Sequence, residues 1–164
     1  MQLPHGVREA TPADVPDILR LIRELAAYER EPDAVATTEE YLHTWLFGSD
    51  PVASVLVAEA AERVVGIALW FRTYSTWTGV PGIYLEDLYV EPGQRGSGLG
   101  KALLASLARI AVDRGYQRVE WAVLDWNTPS IEFYEALGAK PMQEWTTYRL
   151  TGDALAELSG LGGA

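Results

Sequence analysis

The stretch Pro92-Gly93-Gln94-Arg95-Gly96-Ser97-Gly98-Leu99-Gly100-Lys101 constrains this chain more than any other. Gly96, Gly98 and Gly100 alternate between an apolar run, Ile83–Glu91, and a segment in which Leu99, Leu103, Leu107 and Ile110 recur at helical spacing. A strand that turns through glycines into an amphipathic helix is an α/β element. Glycine lets the main chain take positive φ and come close to a ligand. The free N–H groups of such a turn, added to the positive end of the helix dipole, suit an anion. Arg95 and Lys101 put positive charge there in a chain of formal net charge −10. Two phosphate loops do not fit. A Walker A loop needs glycine where Arg95 stands and a hydroxyl where Ala102 stands. A dinucleotide fingerprint needs G-x-G-x-x-G at the first strand–helix turn, whereas this G-x-G-x-G follows the fourth strand-like run. A plain glycine-rich turn and a different anion loop both stay open.

Around that turn, strand and helix patterns interleave. Val7–Ala10 reads as a short strand. Thr11-Pro12-Ala13-Asp14 reads as a helix start, with Thr as N-cap and Pro at the first helical position. Val15, Ile18, Leu19, Ile22, Leu25 and Ala26 then carry the helix to about Tyr28. A second helix is expected over Thr38–Phe47. Pro51–Glu59 and Val64–Tyr74 look like a hairpin turning at Ala60–Arg63. The helix after the glycine turn should stop near Gly115. Arg118–Leu124 alternates as a strand, Thr128-Pro129 opens a helix through Leu137, Lys140–Leu150 reads as a last strand, and Gly152–Leu158 as a short helix. The glycine-rich end is expected to fray. No repeat or linker divides the 164 residues, so one domain over 1–164 is expected.

Composition excludes several classes. With no cysteine there is no disulfide, thiolate metal site or Cys nucleophile. Only His5 and His43 could serve a histidine metal site or a Ser/His/Asp triad. No metal is expected. No apolar run approaches the roughly 18 residues of a membrane helix, and MQLPHGVREAT does not read as a secretory signal. Those features suit the cytoplasm, with no membrane partner. Twenty-three acidic residues against 13 basic ones repel a phosphate backbone, so nucleic acid is not an expected partner. The same field attracts small cations; it is equally what keeps acidic surfaces soluble.

Arg95-Gly96-Ser97-Gly98-Leu99-Gly100 resembles the R/Q-x-x-G-x-G/A signature of the GCN5-related N-acetyltransferase (GNAT) family. Lys101-Ala102-Leu103-Leu104, and Asn127 to Tyr134 with Leu137-Gly138-Ala139, look like that family too. Ile18 to Ala26, Tyr28-Glu29, Tyr84-Leu85-Glu86-Asp87 and Asp125-Trp126-Asn127 resemble the diamine (spermidine/spermine) acetyltransferases and their thialysine-acetylating relatives. The resemblance implies an α/β (α+β) GNAT fold: a mixed, mostly antiparallel sheet of six to seven strands in the order β-α-α-β-β-β-α-β-α-β. It also implies acetyl-coenzyme A as cosubstrate. The amides of Arg95, Gly96, Ser97, Gly98, Leu99, Gly100 and Lys101 would hold its pyrophosphate. Leu88, Tyr89 and Val90 would face its acetyl and pantetheine groups on a strand splayed from its neighbour. Asn127 and Ser130 would lie against it.

Acetylating an amine has three demands. The amine, with pKa about 10, must lose a proton; the carbonyl oxygen needs donors; and the thiolate, of pKa about 8.5, leaves better when protonated. Glu86, mid-strand beside the loop, is the candidate base, acting through water as the resemblance implies; the other reading is an edge acid paired with an Arg. Alternation puts Asp87 on the opposite face of the strand, as a structural or interface residue. Tyr134, one turn past Ser130 on the same helix face, is the candidate acid by resemblance, or else a core aromatic beside Phe133. Tyr28 and Glu29, with Glu120, Trp121 and Ala122, match substrate-contacting stretches. Glu29, Glu86 and Glu120 could form an acidic, aromatic-walled cleft for a cation; for Glu29 and Glu120 solvated surface charge is the alternative.

The expected activity is acetyl transfer to the primary amine of a small cationic substrate, a diamine or polyamine or a thialysine- or lysine-like amino acid. Arg30, Arg72 and Arg149 are the cations available for an amino acid's carboxylate. Gly138–Trp145 is shorter than in the animal diamine enzymes, which weakens the carry-over to polyamines. A protein or peptide amine and a non-catalytic acyl-coenzyme A sensor are the competing readings. A homodimer is expected through the C-terminal strand, where Trp145–Leu150 is apolar enough to need cover; burial within the chain is the alternative.

Overall fold

Thr11 and Asp14 start the first helix by trading hydrogen bonds. The Asp14 carboxylate accepts the Thr11 N–H at 2.7 Å and the Thr11 hydroxyl at 3.2 Å. Pro12–Asp14 is a single 3-10 turn that leads into α1 (Val15–Tyr28). In this computed structural model, which describes residues 2–160, α2 is Glu39–Phe47, with the Thr38 side chain accepting the Tyr41 N–H. The far end of the glycine-rich tail, expected to fray, lies outside the described residues. The chain forms two compact units, Met1–Leu124 and Asp125–Ala164.

The first unit holds a five-stranded sheet in sequential order: β1 (Val7–Glu9), β2 (Ser54–Ala60), β3 (Arg63–Ser75), β4 (Val80–Val90) and β5 (Val119–Glu120). Neighbours are antiparallel, except that β5 joins β4 in parallel after the helix α3 (Leu99–Asp113). The β2–β3 hairpin turns through Ala61 and Glu62, both with positive φ, a geometry that matches the twist of the strands it joins. One sheet face packs Val55, Val57, Ile67 and Tyr89 against Val15, Ile18, Leu19 and Leu21 of α1 and Leu42 and Leu46 of α2. The alternate face carries Trp70, over which the end of α3 lays Arg114. Leu103, Leu107 and Ile110 of α3 are buried. Each such aliphatic side chain contributes about 1.5–3 kcal/mol when fully buried.

The described residues form five strands, fewer than the six to seven expected. Arg118–Leu124 pairs only at Val119 and Glu120. Lys140–Leu150 forms no strand: Pro141 cannot donate to a ladder, Trp145 N–H folds back on the Met142 carbonyl, and the side chains are exposed. The second unit has two helices, α4 (Thr128–Ala136) and α5 (Gly152–Leu158).

β4 carries the feature that alternation hides. Leu69 faces Asp87 and Trp70 faces Leu85, so Glu86 has no partner on β3 and is the extra residue of a β-bulge. A bulge bends its strand and increases local twist. On the other edge, β5 accompanies β4 only at Ile83 and Tyr84. From Leu85 to Val90, β4 has no ladder partner on that side. The ladder to β5 stops at Tyr84, two residues before the bulged Glu86.

Candidate active site

Between β4 and α3 the chain makes a 3-10 turn, Pro92–Gln94, and then passes through Gly96 at φ 84° and Gly98 at φ 85°, the latter the N-cap of α3. These positive angles favour glycine, which adopts them without a Cβ clash. A Cβ at Gly93, Gly96 or Gly98 would meet no atom of the described residues within 4 Å, so the immediate surroundings of these Cα atoms are open. The first α3 amide with an intrahelical acceptor is Ala102, bonded to the Gly98 carbonyl at 2.9 Å. The N–H groups of Gly98, Leu99, Gly100 and Lys101 have no acceptor among the described residues. Four unclaimed donors at the positive end of a 15-residue helix are groups that suit an anion. Ser97 is tied back to the Gln94 carbonyl, and Arg95 and Lys101 are exposed.

Beside this turn lies a cluster of acids. Burial first, and then the charges of Glu86 and Glu29, push the Asp87 carboxyl up to about 6. Glu29, which follows the last turn of α1, is raised by burial and then by Glu86. Tyr84 is raised by burial and by Glu86 and Glu120, and its ring packs on Phe71 at 5.3 Å between centres. No ion pair to Glu29, Glu86, Asp87 or Glu120 forms among the described residues. Glu86 is exposed and has no Arg partner among the described residues.

Asp87 is the residue that sequence reasoning missed. Strict alternation sets it apart from Glu86. The bulge adds one residue to the count, so Asp87 shares a face with Tyr84 as well as with Tyr89. Tyr84 faces Phe71 and Asp87 faces Leu69, two residues apart on β3. The adjacent Glu-Asp pair mid-strand was the available signal.

On the other flank, the Arg95 guanidinium lies over the Tyr28 ring at 5.0 Å and the Tyr89 ring at 5.8 Å. The Tyr89 phenol is raised by burial and by the charge and hydrogen bond of Glu24, with Arg95 opposing. Glu91, at the end of β4, binds Arg20 of α1 at 2.6 Å and Arg63 of β3 at 2.7 Å. Burial raises the Glu91 carboxyl, but those two guanidinium groups outweigh it and hold it below its usual value. The root of the glycine turn is thereby fixed to α1 and the hairpin.

Trp121 and Ala122 follow β5 in an irregular segment, Trp121 half-buried and Ala122 exposed. In the second unit, buried Asn127 caps α4, its side-chain oxygen accepting the Ser130 N–H at 3.4 Å. Tyr134 is half-buried, with its ring 5.5 Å from that of Phe133.

The site thus combines a mixed sheet, a bulged β4 and a glycine turn that opens onto the N-terminus of α3. The sequence pattern of the acetyltransferase (GNAT) family matches residues 17–139. The thialysine N-epsilon-acetyltransferase of Bos taurus is 43% identical over 94% of this chain and 96% of its own length. The L-ornithine N5-acetyltransferase of Arabidopsis thaliana is 34% identical over 94% of this chain and 88% of its own. An integron cassette protein from the mobile metagenome of V. cholerae superposes with a TM-score of 0.78 at 27% identity, covering 93% of this chain and 96% of that one. The chain belongs to the GNAT family and is an N-acetyltransferase. No helix among the described residues is long and apolar enough to cross a membrane.

Proposed function

We propose that this enzyme takes an acetyl group from acetyl-coenzyme A and places it on the terminal primary amine of a small cation, a thialysine-, ornithine- or lysine-like amino acid or a short diamine. The observation that carries this reading is the group of Glu29, Glu86 and Asp87, unpaired and mutually repelling beside an anion-binding turn. Such a group is costly without a cation. An ammonium ion bound there relieves the repulsion, and the family's chemistry consumes an amine. Glu120, Trp121 and Ala122 would line the same cleft, with Tyr28 at its α1 side. Arg30, next to Glu29, is a candidate for an amino acid's carboxylate.

The unclaimed amides of Gly98 to Lys101, with Arg95, Gly96 and Ser97, fit a diphosphate; Asn127 and Ser130 complete the coenzyme contacts in this reading. When bound, acetyl-coenzyme A supplies a thioester whose C–S bond is exchanged for a C–N bond. Main-chain N–H groups of Leu88 and Val90, on the edge that β5 leaves uncovered, are the donors for the carbonyl oxygen, while the intervening Tyr89 N–H faces β3, as the Glu91 N–H does in bonding the Val65 carbonyl. Glu86 accepts the ammonium proton through a water molecule. The Tyr134 hydroxyl gives a proton to the departing sulfur. In the same reading the exposed Trp145, Tyr148 and Leu150 are covered by a second copy of the chain.

The decisive experiment is a screen of amines with acetyl-coenzyme A in which the acetylated product is identified. Thialysine, ornithine, lysine and short diamines should be the best substrates. Peptides or aminoglycosides outrunning all of them by orders of magnitude would overturn the substrate class. Tyr134→Phe should lower kcat about 10²-fold or more with coenzyme affinity little changed. An unchanged kcat removes Tyr134 from the mechanism.

A further inference from the structure

Two tyrosine rings from different elements lie against one guanidinium. Tyr28 is the last residue of α1, beside Glu29; Tyr89 belongs to β4; Arg95 opens the glycine turn. One cation therefore touches the acidic end of α1, the strand with the uncovered edge, and the anion-binding turn. A guanidinium stacks through its face and donates hydrogen bonds from its edge, so it can do both at once. Of its five N–H donors, only the one on Nε reaches an acceptor among the described residues, the Val90 carbonyl at 3.4 Å. The rest of the edge stays open while the face is held. A long, exposed arginine side chain loses rotamer freedom when it grips an anion, and a ring that already orders it lowers that cost.

We infer that Tyr28 is a positioning residue for the coenzyme: its ring preorganises Arg95 for the diphosphate, so the anion turn and the amine end of α1 share one cation. This inference rests on the diphosphate reading of the turn proposed above. Linkage makes the effect reciprocal, so a diphosphate on Arg95 steadies Tyr28 and the neighbouring Glu29. The carrier is predicted to tighten binding of the amine.

The test is a double-mutant cycle read by calorimetric titration with coenzyme A, with no turnover required. Tyr28→Leu should weaken coenzyme A about two- to fivefold, the loss expected for one exposed ring–guanidinium contact. Tyr28→Phe keeps the ring and should restore wild-type affinity. Arg95→Gln should weaken binding more, and adding Tyr28→Leu to it should cost nothing further. Tyr28→Gln provides a second ring-less variant, and circular dichroism checks the fold of each. Wild-type affinity in both ring-less variants, or losses that multiply in the double variant, would overturn the inference while leaving the proposed function standing. No uptake of coenzyme A by folded wild-type protein would remove both.

Discussion

Two groups of acids on the same sheet have opposite fates. Near β1, Arg8 donates to Asp14 at 2.7 and 2.9 Å and to Glu59 at 2.6 and 2.8 Å. The Asp14 carboxyl is held down at about 2, first by the Arg8 hydrogen bond and against the opposing effect of burial. Near the bulge of β4, burial together with the charges of Glu86 and Glu29 pushes Asp87 up to about 6. Both groups are partly shielded from water; what differs is the cation. The first has one within the fold and serves to join β1, β2 and the start of α1. The second has none among the described residues, and a fold keeps such a cluster at a cost. In the function proposed above, the unrelieved repulsion belongs to a site that takes a cationic ligand, whereas the relieved one belongs to a joint of the fold.

The largest effect that could break this contrast is on rate. Glu86→Gln should lower kcat by about 10²–10⁴-fold, the range for a general base, while stability changes little because Glu86 is exposed at a bulge. Steady-state kinetics with the best amine and a denaturant melt read the two quantities. A rate within threefold of wild type would make the β4 cluster as structural as the Arg8 group.

Next comes the joint itself. Asp14→Ala should destabilise the fold by about 2–4 kcal/mol, since it leaves a partly buried Arg8 with Glu59 alone and removes the carboxylate that accepts the Thr11 N–H. Because the Asp14 pKa is depressed, its contribution of about 2 kcal/mol is in place above the unfolded value near 4. It is lost as pH falls toward about 2. Urea midpoints of wild type and variant should therefore converge in acid, with coenzyme A affinity at neutral pH little affected.

What was legible in the sequence divides along the same line. Helix starts are local: Thr11, Thr38 and Asn127 sit where side-chain oxygens meet orphan amides within three residues, and all three helices begin there. The glycine turn is local too, and its positive φ angles fall on Gly96 and Gly98. Strand extent is not local. Arg118–Leu124 alternates well, yet only Val119 and Glu120 find a ladder partner, and that partner is in β4, 36 residues earlier. Lys140–Leu150 likewise has strand-like residues and no ladder. The bulge was hidden for the same reason. Period-2 reasoning separates Glu86 from Asp87, and only pairing with β3 shows that one residue is extra.

The smallest predicted effect is the one whose sign the contrast fixes. Asp87→Asn removes a carboxylate whose pKa is raised by the fold. Such a group favours the folded state below its unfolded value near 4, and that advantage is lost as pH rises through about 6. Above pH 7 the ionised Asp87 therefore strains the native state, and the asparagine should stabilise it by about 1–3 kcal/mol. That is the reverse of Asp14→Ala. The gain should disappear in urea melts run near pH 4. The same substitution should raise the KM for a cationic amine, because one of three charges that face it is gone. In wild type, KM should likewise rise as pH falls through about 6. A destabilised Asp87→Asn variant at pH 8 would mean that Asp87 has a partner in the fold after all, and the cluster would then be a second joint.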